Sequence, residues 1–205
     1  MKINDILPAN LQTLKVVLIL ESPFEDEVNH NHPLAGSSGK IVTNYIKNRV
    51  SQNSIIRNFC SPLGCELKNL PNSGLGVMNC SLRPLDETVY KRLYSNTQLR
   101  KYHIYIGAFN FIRKYQKSLK RRNPSYQNIE NYLIQNFKKR MAVFNQVTQS
   151  IIFVPCCPLA EKFLKQCVIP NQHTVFNRIP HPSPRNGGWS TLTGNTNFNN
   201  LLGVL

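Results

Sequence analysis

The sequence predicts an α/β protein, a three-layer α/β/α arrangement around a central, mostly parallel four-stranded sheet. Short continuous apolar runs at 15–20 (KVVLIL), 76–78 and 151–154 read as strands buried on both faces, as parallel sheets require. These runs alternate with segments of helical spacing, the pattern of strands covered by helices. With 41% hydrophobic residues over 205 positions, the chain has material for a sizeable core.

The elements follow in order. The β-branched run at 15–20 stops at Glu21-Ser22-Pro23, where the proline lacks a donor for a ladder. At 39–49, Ile41, Val42, Tyr45 and Ile46 recur at helical spacing. The apolar piece 76–78 ends at Asn79. Residues 102–109 (YHIYIGAF) read as a strand or as the start of a helix, with Gly107 weakening either reading. Ile129, Tyr132, Leu133, Phe137, Met141 and Phe144 then form one apolar stripe at three- and four-residue steps, a core-facing helix over 126–144. Its other face carries Lys138, Lys139 and Arg140, and the loop before it holds Lys117, Lys120, Arg121 and Arg122. A strand at 151–154 is ended by Pro155, a helix follows at 159–164, and 174–179 leads into Pro180-His181-Pro182. The expectation is one domain over 1–205 with a basic helical insertion at about 90–150.

Charge narrows the partner. Lys and Arg number 25 against 10 Asp and Glu, so 25 − 10 gives +15. Only 17% of residues are charged, below the usual quarter or so, so the imbalance is a shortage of acids. Such a surface attracts phosphates wherever Lys and Arg cluster, and DNA is the expected partner; the plainer alternative is basicity that serves solubility. The longest aliphatic run, 16–20, is far short of the roughly 20 residues a membrane span needs, and residues 1–14 do not read as a secretory leader. No membrane partner is expected, and the expectation is an intracellular, cytoplasmic and nucleoid-associated monomer. Six cysteines, at 60, 65, 80, 156, 157 and 167, lack the paired spacing of a zinc site and read as reduced thiols.

Ligands of parallel α/β sheets bind beyond the carboxyl ends of the strands. Three polar clusters follow apolar runs directly: Glu21-Ser22-Pro23-Phe24, Asn79, and His181-Pro182-Ser183-Pro184. A carboxylate, a carboxamide and an imidazole on one crevice suit a flat heterocycle, the amide reading a base edge and the imidazole donating a hydrogen bond. Gly36-Ser37-Ser38-Gly39-Lys40 is not a nucleotide P-loop, because two residues rather than four separate its glycines and Ile41 follows the lysine. His30 and His32 read as loop histidines rather than metal ligands.

The order and spacing of these motifs resemble the uracil-DNA glycosylase superfamily. Glu21-Ser22-Pro23 after a strand is similar to the Glu-Ala-Pro-Gly segment of its iron–sulfur-containing branch, whose Glu activates water. Pro33-Leu34-Ala35-Gly36-Ser37-Ser38-Gly39 resembles that branch's loop carrying a base-stacking Phe, and Val77-Met78-Asn79 resembles the strand whose terminal Asn reads uracil. Phe153-Val154-Pro155, with Leu159-Ala160-Glu161, resembles the next strand–helix pair. His181-Pro182-Ser183-Pro184-Arg185-Asn186, then Gly188-Trp189, resembles the active-site and DNA-wedge motif of single-strand-selective monofunctional uracil-DNA glycosylases, and this is the most specific match.

The resemblance implies a monofunctional DNA glycosylase of base excision repair that flips its target base out of the stack. Glu21 would activate water and His181 would donate to uracil O2. Ser22, Phe24, Leu34 and Asn79 would bind the base, and Ser183, Pro184, Arg185, Asn186, Gly187, Gly188 and Trp189 would contact DNA. The sequence departs from the pattern at Ser22, where other branches carry a catalytic Asp or Asn. It departs again at Leu34, which replaces the stacking Phe and leaves Phe24 as the base platform. No cysteine precedes Cys60, so no iron–sulfur cluster is expected, and neither is a metal or other cofactor. Asn79 also reads as a structural turn amide, His181 as a loop brace and Trp189 as a core residue. A catalytically silent member of the fold that binds nucleic acid or protein, and a hydrolase of nucleotide-like substrates, are the competing functions.

Overall fold

β1 (Val16–Leu20) lies between β2 (Leu75–Asn79) and β3 (Ile152–Pro155), and β4 (Thr174–Val175) completes a four-stranded, all-parallel sheet in the order β2-β1-β3-β4. The computed structural model describes residues 2–50, 54–70, 72–114, 124–184, 188–192, 194–203 and 205. The register sets Val16 beside Leu75 and Ile152, and Leu20 beside Asn79. All five residues of β1 are buried, which explains its unbroken apolar sequence: both faces are covered.

The pleat divides the core between two layers. Val16, Leu18 and Leu20 pack with α2 (Ser37–Lys47), α4 (Leu63–Lys68) and α9 (Thr196–Leu202) through Val42, Ile46, Leu63, Leu67, Phe198 and Leu202. Val17 and Ile19 face α5 (Glu87–Leu93), α6 (Asn96–Lys114), α7 (Pro124–Met141) and α8 (Pro158–Leu164) through Tyr90, Phe109, Phe137 and Phe163. Two short helices, α1 (Glu25–His30) and α3 (Ser54–Arg57), complete the set. The three-layer α/β/α architecture is therefore present.

The ambiguous segment 102–109 is helix. Within α6, Ile106, Phe109 and Ile112 are buried at three-residue steps, and Phe109 stacks on Tyr90 of α5 at 6.4 Å. Gly107 admits the Tyr126 hydroxyl, which a Cβ there would meet at 3.2 Å. In α7 the expected stripe buries Leu133, Phe137 and Met141, while Tyr132 falls off its edge at 66% exposed. The basic loop residues Lys117, Lys120, Arg121 and Arg122 lie outside the described residues.

One ion pair ties the N-terminal segment to α7 and to the end of β2. Arg140 donates from Nη1 to Asp5 Oδ2 at 2.5 Å and from Nη2 to the carbonyls of Asn79 and Cys80 at 2.7 and 2.9 Å. Asp5 in turn accepts the Asn79 N–H at 3.2 Å. The two side chains are only 16% and 11% exposed, so water cannot replace a lost partner. Arg140→Ala is expected to lower stability by about 3–5 kcal/mol, read from urea unfolding; an unchanged midpoint would show the pair to be solvated.

Candidate active site

The carboxyl ends of β1, β3 and β4 open on a cleft of about 1070 Å³. Glu21 and Ser22 enter it because they are the first residues beyond β1, and Pro23 turns the chain away. The Ser22 hydroxyl accepts the Leu85 N–H at 3.3 Å. Phe24 follows as a half-buried wall residue, with the Arg92 guanidinium 5.9 Å from its ring centroid.

Glu27 of α1 fixes the next turn. Its carboxylate accepts the N–H groups of Phe24 and Leu34, each at 2.6 Å. Burial pushes this carboxyl up to about 7, against the opposing pull of those two hydrogen bonds. Leu34 adopts a left-handed φ of 54° and is buried, 1% exposed, outside the cleft lining. The glycines of this segment answer close approaches: a Cβ on Gly36 would fall 2.2 Å from Asp26 Oδ2, and one on Gly39 would fall 1.9 Å from the Leu34 carbonyl. Ser37 and Ser38 line the cleft from the start of α2.

His181 arrives from the opposite side. After β4 the chain continues pairing with β3, the Phe176 and Ile179 N–H groups donating to Phe153 and Pro155 at 2.8 and 2.9 Å. Trp189 then donates its indole N–H to the Pro180 carbonyl at 3.0 Å, fixing the peptide unit just before His181. Trp189 itself is 1% exposed and packs edge-on against Tyr45 and Phe198 at 5.2 and 5.3 Å. This corrects the expectation of a DNA contact at Trp189: its ring and its polar atom are both engaged inside the protein, where it braces the histidine loop. Ser183 and Pro184 do line the cleft, Gly188 begins a short helical turn over Gly188–Leu192, and Arg185, Asn186 and Gly187 lie outside the described residues.

α6 supplies a side chain that no sequence motif announced. Arg113 donates from Nε to Glu21 Oε1 at 2.7 Å and from Nη1 to Asp86 Oδ2 at 2.6 Å. Asp86 caps α5, accepting the Thr88 N–H at 2.9 Å and its hydroxyl at 2.7 Å. Burial alone would raise the Asp86 carboxyl, but the Thr88 hydrogen bonds and the Arg113 charge hold it below the ordinary carboxylate value. His181 is pulled down to about 4, chiefly by burial and further by the Arg113 charge, so its imidazole is neutral at pH 7. Cys157, also on the cleft, has its thiol pushed up to about 12 by burial and by Glu21, which removes it as a nucleophile.

Four of the chain's ten acidic residues, Glu21, Asp26, Glu27 and Asp86, line this cleft, against Arg113, Lys114 and Arg178. The cleft of this strongly basic protein is thus lined by charges of both signs, four acidic and three basic.

Asn79 departs from the expected placement. It ends β2 beside Leu20, but its side chain is fully buried and does not line the cleft. Neither its amide nitrogen nor its amide oxygen has a hydrogen-bond partner among the described residues. Glu21, Ser22, Phe24, His181, Ser183 and Pro184 therefore share one cavity, while Asn79, Leu34 and Trp189 are buried and do not line it. Asp86 carried a readable cap signal ahead of α5, but nothing in the linear sequence linked it to Arg113. Among the described residues no group of three or more His, Cys, Asp or Glu is placed to hold a metal ion, and no helix is long and apolar enough to cross a membrane. No family model matches the chain, and no curated protein matches its sequence.

Proposed function

We propose that the protein is a monofunctional DNA glycosylase that hydrolyses the N-glycosidic bond of uracil, or of a related damaged base, in DNA. One observation carries this reading: Glu21 and His181, distant in sequence, face the same cleft. In this reading Lys and Arg on the surface hold phosphates flanking the target, and the nucleotide rotates out of the stack into the cleft at a cost of a few kcal/mol.

The C1′–N1 bond then breaks with its electron pair leaving on the base. Neutral His181 donates a hydrogen bond to uracil O2 as negative charge develops there, and the imidazole stays a donor without becoming charged. Glu21 orients a water toward C1′, takes its proton, and offsets the positive charge of the oxocarbenium-like sugar. Phe24 offers a ring face to the base. Asn79 has an unsatisfied donor and acceptor suited to the O4 and N3–H edge of uracil, and presenting them requires the cleft wall to move.

That buried amide also favours a second reading, a protein of this architecture that binds nucleic acid without excising a base. The test is incubation with single- and double-stranded oligonucleotides carrying one uracil, followed by chromatography for free uracil and alkaline cleavage at the abasic site. Free uracil is the expected product. Salt-sensitive binding with no base released would replace the glycosylase reading with the second one.

A further inference from the structure

We propose that Arg113 is the positioning residue of Glu21, delivered by α6 and anchored in turn by Asp86, an inference that rests on the glycosylase reading above. Three observations carry it. The guanidinium spans both carboxylates with two hydrogen bonds from different nitrogens, at 2.7 and 2.6 Å, so its plane and its distance from β1 are both fixed. Asp86 cannot drift, because its second oxygen is held by the backbone and hydroxyl of Thr88 at the start of α5. The Glu21 side chain is 15% exposed and that of Arg113 40%, so the pair lies at the cleft surface and its hold on Glu21 comes from the directed hydrogen bond rather than from an unscreened charge.

The arrangement solves a geometric problem. Glu21 is the first residue beyond a strand, on a backbone free of the ladder, and a carboxylate there has several rotamers. Holding Oε1 restricts those rotamers and aims the carboxylate from a fixed point. The charges also suit the reaction. Asp86 takes the other side of the guanidinium, so the charge of Arg113 is shared between two carboxylates rather than set against Glu21 alone. The other charged and titratable groups on the cleft are Asp26 and Glu27 of α1, Lys114 of α6, Cys157 at the start of α8, and Arg178 and His181 after β4.

Two measurements test this. In steady-state assays on a uracil-containing oligonucleotide, Arg113→Gln is expected to lower kcat by about ten- to a hundredfold with KM within about threefold, the loss expected when a catalytic group is misplaced. Arg113→Lys should recover part of kcat, because an ammonium restores the charge but not the planar fork. An unchanged kcat with a raised KM would make Arg113 a substrate phosphate contact and overturn the proposal, and so would a kcat loss that lysine does not relieve. Urea unfolding of Glu21→Ala, Arg113→Ala and the double variant decides the pairing without any turnover: non-additive effects support it and additive effects overturn it. A wild-type protein that releases no base therefore refutes the glycosylase reading, while the unfolding cycle still judges the pair.

Discussion

A Glu21→Gln protein is expected to release uracil about 10²–10⁴-fold more slowly than the wild type, with KM nearly unchanged. The substitution is isosteric, and its amide oxygen can still accept from Arg113, so the cleft keeps its shape while losing a base and a negative charge. The remaining Arg113–Asp86 pair has no net charge, so the negative charge that Glu21 set against the cationic sugar is lost. Single-turnover kinetics with quantified free base give the measurement, and a urea titration confirms that the variant folds. Turnover at the wild-type rate would remove Glu21 from the mechanism and leave its ion pair with Arg113 as a purely structural link.

His181→Ala is expected to slow release by about 10²–10³-fold, the range seen when one preorganised donor to a developing oxyanion is deleted. Its pH behaviour gives a sharper check. Burial and the Arg113 charge depress the imidazole to about 4, so the neutral donor is fully populated from pH 7 down to roughly pH 5. The contribution of His181 to the rate should be flat across that interval and change only as pH approaches 4. A change centred near 6.5 would show that the cleft does not depress the imidazole. The same depression affects folding: below pH 6.5 the unfolded chain binds a proton that the folded chain refuses, so this contribution to stability is complete above 6.5 and is lost as pH falls toward 4.

The strands were readable because a parallel sheet buried on both faces demands uninterrupted apolar residues, and few other environments do; 15–20 and 151–154 lie within a residue of β1 and β3. Residues 102–109 were not resolvable alone. Their aromatic and β-branched content suits a strand, and what makes them helix is the packing of Ile106, Phe109 and Ile112 against neighbouring helices. The site shows the same division. That Glu21 and His181 would share one cleft was legible because segments beyond the carboxyl ends of parallel strands converge there. Depth was not legible: spacing placed Asn79 at a strand end but could not say that other elements seal its side chain. Trp189 was open between core and DNA, and the pocket of Tyr45 and Phe198 decided it. Arg113 left no trace because it meets Asp86 and Glu21 across 27 and 92 positions of chain, through helix packing that no short window records.

The central place of β1 has a consequence during synthesis. Its partner in β3 lies 152 − 16 = 136 residues further on, so at ribosomal speeds of about 5–20 residues per second, roughly 7–27 s separate their appearance. Throughout that interval a five-residue, wholly apolar segment has one flank unclaimed.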